Sequence, residues 1–545
     1  MRCLRCASVW LVLAAALPMV GSAAEQQPAY DTVVICPEAF HEAMRPWFAH
    51  RAAQGRKIGV LSEIESPEAM RKAIRDAAKG DKLTHVLIVG DDHPLRDDDE
   101  HLAAVTVPSA KIKAKVNVRW GSEAAIATDN WFADLDDDHT PEVAIGRLTA
   151  DTPEEVSAMV KKIVDYENSN DQTAWRRRVN FIAGVGGFGV VADSILDMAT
   201  KRFVTVSIPA IYQATMAYAS LTSPYCPDPR ELPRTAIARH NEGCLFWVYI
   251  GHGQRRWLDS MRVGRQAFPI MDIDSVREMR SAAGSPIAVF LACYTGAFDE
   301  REDCLSEEML ASPSGPVAVI SGTRVTMPYA NAVLAHAMLD HCFAQDHTTL
   351  GEVMLHAKRE TASGEAAGAN RQLLDALAVA ISPNKDELAD ERHEHLHMYN
   401  LLGDPLLRLP KPQPVEITAA DTAQSGETIE VSATSEVNGR ATVELVCRRD
   451  KLTFKAPSRV GFQLTHDSAP QLTETYQRAN DQRWAAREIE ITDGQLKTAF
   501  EIPDACSGHC HVRIYIEGKQ QFAMGAADLY VQRPADDAER DPLSN

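Results

Sequence analysis

The sequence predicts an α/β protein: a mostly parallel sheet flanked by helices, arranged in two subdomains and followed by an all-β sandwich. Three observations predict it. Between residues 30 and 410, short β-branched runs alternate with longer stretches of helical period, the pattern of parallel strands joined by crossover helices. The alternation pauses at Asn168-Ser169-Asn170-Asp171, after a long helical stretch. Beyond Leu409, Pro410, Pro412 and Pro414 punctuate a linker, and alternating strand patterns replace the helical period.

Arg2 and Arg5 precede an apolar run over 9–20 and the small residues Gly21-Ser22-Ala23-Ala24. That is the layout of a secretory signal peptide over 1–24, and no cysteine stands at the cleavage point as a lipoprotein would require. Charges interrupt every later hydrophobic run before it reaches the roughly 20 apolar residues of a membrane helix. A secreted or periplasmic protein without a membrane span is expected.

The N-terminal α/β subdomain is placed at 25–170, with strands at 32–36, Ile58–Leu61 and His85–Val89 and helices at Pro67–Ala78 and 153–167. The second subdomain, 171–410, carries strand-like runs at 179–183, 245–250, 288–292 and 317–321. Residues 411–533, with strands such as 428–433, 441–446 and 511–516, read as a sandwich of immunoglobulin type. The acidic tail 534–545 reads as disordered.

A formal net charge of −20 argues against general nucleic-acid binding, which needs clustered cations. Of the 11 cysteines, Cys3 and Cys6 lie in the signal segment, leaving an odd number for an oxidising compartment. If Cys293 is a free thiol, the rest can pair, with a connectivity that spacing does not reveal.

Functional groups of an open α/β sheet gather at the carboxyl ends of its strands. The run Phe246-Trp247-Val248-Tyr249-Ile250 ends in Gly251-His252-Gly253, and Ala288-Val289-Phe290-Leu291 ends in Ala292-Cys293-Tyr294-Thr295-Gly296. An imidazole near a thiol can take its proton and later protonate a leaving amine, which is acyl-transfer chemistry. Histidine lies upstream of cysteine, the order found in caspases and the reverse of papain. Taken alone, either residue is more simply a buried core group.

These two segments resemble the active-site segments of gingipain-type cysteine peptidases. Gly315-Pro316-Val317-Ala318-Val319-Ile320-Ser321, Asn400-Leu401-Leu402-Gly403-Asp404-Pro405 and Tyr30-Asp31-Thr32-Val33-Val34-Ile35 resemble further segments of that family, and the likeness spans about residues 28–410. The resemblance implies a caspase-like fold, protein or peptide substrates, and His252 and Cys293 as the catalytic pair. It also implies an oxyanion hole built from the backbone N–H groups of Gly253 and Cys293. Some family members carry an acidic residue after the strand matching 179–183; here Gly184-Val185-Gly186-Gly187 stands, so a dyad is expected. Asp193 resembles the specificity-pocket aspartate of arginine-cleaving members, its alternative role being that of a helix N-terminal residue. The chemistry needs no cofactor. The competing reading is a secreted, inactive peptidase-like scaffold for adhesion or assembly.

Asp134, Asp136, Asp138 and Glu142 offer oxygen ligands at the spacing of a calcium loop, or form a solvated acidic turn. His393-Glu394-His395-Leu396-His397 matches the zinc pattern of two histidines one helical turn apart, but a charged, solvated helix accounts for it more simply.

Overall fold

The computed structural model describes residues 10–11, 30–63, 66–80, 82–94, 100–187, 207–281, 284–364, 368–382, 384–459, 462–465 and 467–533. Asp193, the tail 534–545 and all of the expected signal segment except Trp10–Leu11 lie outside the described residues. The chain divides into two compact units. The first comprises Met1–Asn168, Gly253–Trp257 and Ile287–Leu409, and the second Ser169–His252, Leu258–Pro286 and Pro410–Asn545.

In the first unit the strands run in the order Ile58–Leu61, Thr32–Ile35, His85–Val89, Ala144–Leu148, Tyr399–Leu402, Ala318–Gly322 and Ile287–Leu291. The first five are mutually parallel. The last two are parallel to each other and antiparallel to Tyr399–Leu402. Thr32–Ile35, His85–Val89 and Ile287–Leu291 are buried along their whole length, as expected of strands covered on both faces. The flanking helices start where their sequences supply caps. Ser66 Oγ accepts the Ala69 N–H ahead of Pro67–Ala78, and Thr349 with Glu352 forms a capping box for Leu350–Ala362. In Gly403-Asp404-Pro405, the fully buried Asp404 carboxylate takes the Arg51 guanidinium at 2.6 Å, the Trp47 indole N–H and the Leu406 N–H. One buried carboxylate thereby ties helix His41–Ala53 to the strand that ends at Leu402.

In the second unit Phe246–Ile250, Arg178–Ala183 and Gln213–Tyr218 form a parallel ladder in that order. The C-terminal strands make two groups: Gln413–Pro414, Phe522–Gln532, Gly508–Glu517, Gly439–Cys447 and Arg483–Ile491, with Thr422–Gln424 also on Phe522–Gln532, and separately Glu416–Thr418, Thr428–Thr434 and Gln495–Glu501. Inward residues of both groups, among them Val431, Phe500, Val443 and Ile514, share one core. The expectation of an all-β tail needs one correction: helix Ala469–Ala479 intervenes, its Leu472, Thr475, Tyr476 and Ala479 buried at helical spacing.

Glu444 ties these C-terminal strands to the parallel ladder. Its carboxylate lies between Arg177, at 3.0 Å, and Arg513, at 2.8 Å, all three buried. Burial alone would raise the Glu444 carboxyl, but the two guanidiniums outweigh it and hold it below the ordinary carboxylate range. An acid whose pKa is depressed by folding stabilises the fold above its unfolded pKa, here 4.5, and loses that contribution as pH falls through the folded value. Glu444→Gln should cost on the order of 3 kcal/mol at neutral pH, because it leaves buried guanidiniums undercompensated. The gap between variant and wild type should narrow below about pH 4. Chemical denaturation across pH measures both, and a pH-independent gap would refute the assignment.

Candidate active site

The strand Phe246–Ile250 is buried except at its last residue, and the chain then leaves it through Gly251, His252 and Gly253. A Cβ on Gly251 would lie 2.8 Å from Tyr249 Oη and 3.0 Å from Gly184 Cα, so only glycine fits between those groups. Tyr249 Oη donates to the His252 carbonyl at 2.7 Å and fixes the main chain. His252 Nε2 lies 3.0 Å from the Gly186 carbonyl oxygen. A carbonyl can only accept, so Nε2 carries the proton and Nδ1 is the basic nitrogen. The loop over 184–187, where sequence reasoning found no acid, supplies this acceptor from its main chain.

Cys293 follows the fully buried strand Ile287–Leu291. Among the described residues it and Cys342 are the cysteines that are not buried. Burial pushes the thiols of Cys36 and Cys226 up to about 12 and about 11, which makes them inert. The Thr326 amide donates to Cys293 Sγ at 3.3 Å, and Thr326 Oγ1 lies 3.7 Å from the sulfur. Behind it Asn331 Nδ2 donates to Thr326 Oγ1 at 3.0 Å, and Tyr399 Oη donates to Asn331 Oδ1 at 2.8 Å. Tyr294, next to the cysteine, has φ 58°, a left-handed conformation that a bulky side chain adopts only under constraint. Its N–H donates to the Arg324 carbonyl and its hydroxyl to Glu123, which supply that constraint.

Gly253 packs directly on this segment. A Cβ there would lie 2.7 Å from the Cys293 carbonyl oxygen, 2.8 Å from Thr295 Cγ2 and 3.0 Å from Ala292 Cβ. The residue bonded to His252 is thus seated on the cysteine's own backbone, and its lack of a side chain is the reason it can be.

The two arginines that follow are held internally. Arg255 pairs with Glu123 at 2.6 Å and Glu300 at 2.7 Å, its guanidinium 4.6 Å from the Tyr294 ring centroid, and Arg256 donates to the Asp303 carbonyl. Arg324 and Asp299 complete the surroundings with a bidentate pair at 2.8 and 2.6 Å. Sequence reasoning missed Thr326, Glu123 and Asp259, whose carboxylate receives the Val185 N–H at 3.2 Å. None of them sits in a local pattern that announces a role.

Two groups have the donor chemistry of a cation site. Asp134, Asp136 and Glu142 bring one carboxylate oxygen each to within 4.8 Å of one another; Asp138 is not part of that group, its Oδ1 instead accepting the Thr140 N–H. Asp91, His93 and Asp303 form the second group. The Asp151 carboxylate, with help from Asp91, pushes the His93 imidazole up to about 9 against burial, so this group competes for a proton as well as for a cation. At His393–His397 the expected solvated helix is corrected. Glu394, His395 and His397 are buried, Glu394 accepts the backbone N–H groups of Lys115, Val116 and Asn117, and His395 Nε2 accepts the Met327 N–H. A glutamate engaged by three amides is not a base for bound zinc.

The chain resembles gingipain R2 of Porphyromonas gingivalis strain W83, with 21% identity over 417 residues, 73% of this chain and 49% of that protein. It also resembles Lys-gingipain of the same species, with 22% identity over 291 residues, 51% of this chain and 14% of that protein. The chain thus spans about half the length of the first of these relatives and less of the second. The crystal structure of the Arg-specific cysteine proteinase gingipain R superposes with a TM-score of 0.51 at 16% identity, covering 94% of this chain and all of that one, a likeness of fold. Residues 25–410 match the model of peptidase family C25, and the chain belongs to that family.

Proposed function

We propose that this chain is a secreted or periplasmic cysteine endopeptidase that works through a His252/Cys293 dyad. The observation that carries the reading is the seat of Gly253 on the Cys293 backbone, one peptide bond from an imidazole whose Nε2 is already engaged. Cys293 Sγ attacks the scissile carbonyl as the thiolate, with the Thr326 N–H as a donor to the sulfur. The backbone N–H groups of Gly253 and Cys293 receive the oxyanion of the tetrahedral intermediate. His252 Nδ1 takes up the thiol proton and returns it to the departing amine, and water then hydrolyses the thioester. The signal-like start of the chain supports export. Among the described residues no helix is long and apolar enough to cross a membrane. For residues 411–533, the two strand groups with one shared core support an immunoglobulin-like sandwich that docks or stabilises.

Cys293→Ala and His252→Ala should each lower peptide hydrolysis by on the order of a thousandfold or more while leaving the thermal midpoint in place. Activity should require a reducing agent, since an oxidised sulfur cannot attack. Near wild-type turnover in either variant would remove the dyad, and a wild-type protein inert toward diverse peptide libraries would favour the scaffold reading.

For specificity, Asp193 is the proposed base of the pocket. A buried carboxylate selects arginine through paired, charge-assisted hydrogen bonds and lysine less well, as a point charge. The relatives' names, Lys-gingipain and Arg-specific gingipain R, put basic preferences on those proteins. Arg255 and Arg256 do not oppose a basic substrate, because Glu123, Glu300 and the Asp303 carbonyl engage them. Fluorogenic peptides ending in Arg should be cut faster than those ending in Lys, Asp or Asn, and Asp193→Ala should abolish that preference. An Arg preference that survives in the variant would place the pocket elsewhere.

A structural calcium is proposed at Asp134, Asp136 and Glu142, with Asp138 adding charge to the same loop. Burial, followed by the neighbouring Asp136, Asp134 and Asp138, raises the Glu142 carboxyl, and a hard divalent cation would relieve that crowding. Arg71, 3.3 Å from Asp134, is the competing cation. Addition of EGTA should lower the melting temperature, and calcium but not magnesium should restore it. An unchanged midpoint together with less than one bound calcium per chain would discard the site.

A further inference from the structure

We propose that Asp259 is the positioning residue for His252, acting through the loop over 184–187 without touching the ring. The proposal rests on the cysteine-peptidase reading and adds to it the source of the histidine's rigidity.

The loop that supplies the Gly186 carbonyl is poorly suited to hold anything by itself. Three of the four residues in Gly184-Val185-Gly186-Gly187 lack side chains, and Gly186 and Gly187 sit at φ 72° and 107°, which glycine adopts freely and also leaves freely. The Gly184 N–H donates to the Ile250 carbonyl, and a second anchor holds the residue after it. Asp259 provides it. Its Oδ2 accepts the Val185 N–H at 3.2 Å, one residue before the carbonyl that binds Nε2, and its Oδ1 accepts the Ser260 N–H at 2.9 Å, which fixes the carboxylate's own orientation.

Asp259 is rigidly placed in turn. It stands at the mouth of the hairpin Ser260–Val263/Gln266–Pro269, with its carbonyl accepting the Ile270 N–H at 2.9 Å and the neighbouring Leu258 N–H donating to Met271 at 2.8 Å. The Asp259 N–H also faces Tyr249 Oη at 3.4 Å, the hydroxyl that donates to the His252 carbonyl. Asp259 therefore reaches both supports of the histidine: the loop that holds its ring and the tyrosine that holds its main chain. The packing leaves no slack, since a Cβ on Gly184 would lie 2.9 Å from Tyr249 Oη and 3.3 Å from Asp259 Oδ2. A carboxylate placed one peptide away fixes the imidazole tautomer without being its hydrogen-bond partner.

The test compares Asp259→Ala with Asp259→Asn, whose amide oxygen can still accept the Val185 N–H while its NH2 group gives up the bond from the Ser260 N–H. In peptide hydrolysis the alanine variant should lose about tenfold or more in kcat, with KM within about twofold of wild type, and asparagine should recover a measurable part of kcat. In protein carrying 15N-labelled histidine, with His252 assigned by its absence from His252→Ala, wild type and Asp259→Asn should show the Nε2–H tautomer. Asp259→Ala should move toward a tautomer average. The proposal is overturned by a wild-type tautomer and kcat in Asp259→Ala, even if its melting temperature falls, or by an asparagine variant as impaired as alanine. The tautomer measurement needs no turnover, so a protein without peptidase activity would sink the cysteine-peptidase reading while still deciding the role of Asp259.

Discussion

The candidate site depends on one steric constraint: the chain on either side of His252 must carry no side chain. Gly251 is confined by Tyr249 and Gly184, and Gly253 by the Cys293 carbonyl, Thr295 and Ala292, with every limiting approach at 3.0 Å or less. Real Cβ atoms do not tolerate such distances, so any substitution there must displace backbone in packing as dense as an organic crystal. The glycines fix where the imidazole is presented, and the thin loop over 184–187 is the counterpart of that thinness on the other side.

Around this constraint, charge is balanced at short range. Arg255 is neutralised by Glu123 and Glu300, and Arg324 by Asp299. Pairs of this kind, half-buried or better, add little net stability. Their effect is geometric, since they hold Tyr294 in its left-handed conformation and keep the residues after His252 from drifting. Glu307 works deeper in the fold: it caps helix Leu305–Ala311 through the Cys304 N–H, and burial raises its carboxyl well above the ordinary range. Asp91 beside it is raised as well, chiefly by burial, because two buried carboxylates at close range disfavour ionising together.

Much of this was legible in the sequence wherever the local pattern and the tertiary role agree. Runs such as Thr32–Ile35 and Phe246–Ile250 are apolar because both faces of the sheet are covered, and the glycines and functional groups at their ends are the mark of a strand edge. Of the strands not anticipated, three belong to the parallel ladders, each missed for a reason. Ala144–Leu148 contains Arg147, fully buried because Asp129 takes it bidentately at 2.8 and 2.7 Å and two carbonyls accept the rest, partners that no local window contains. Tyr399–Leu402 follows helix Leu388–Met398 without a turn residue, so the helical period runs into it. Gln213–Tyr218 has no clean alternation. The histidine-rich helix was misread for the same reason as Arg147: charged residues were assigned to solvent, whereas amides hundreds of residues away converge on Glu394. At the site, His252 and Cys293 were readable from their strand ends, but Thr326, Glu123 and Asp259 act through contacts that exist only once the chain has folded.

The two side chains of the proposed dyad each meet a main-chain group. The sulfur receives the Thr326 N–H, and the imidazole gives its Nε2–H to the Gly186 carbonyl. The acceptor beside Nε2 fixes the tautomer in which the proton sits on Nε2 and the lone pair on Nδ1. The neutral Gly186 carbonyl orients the ring. The weakness of such support is mechanical, because a glycine-rich main chain is loose unless something charged holds it from behind. In the positioning role proposed for it, the Asp259 carboxylate stiffens the loop from one peptide further back.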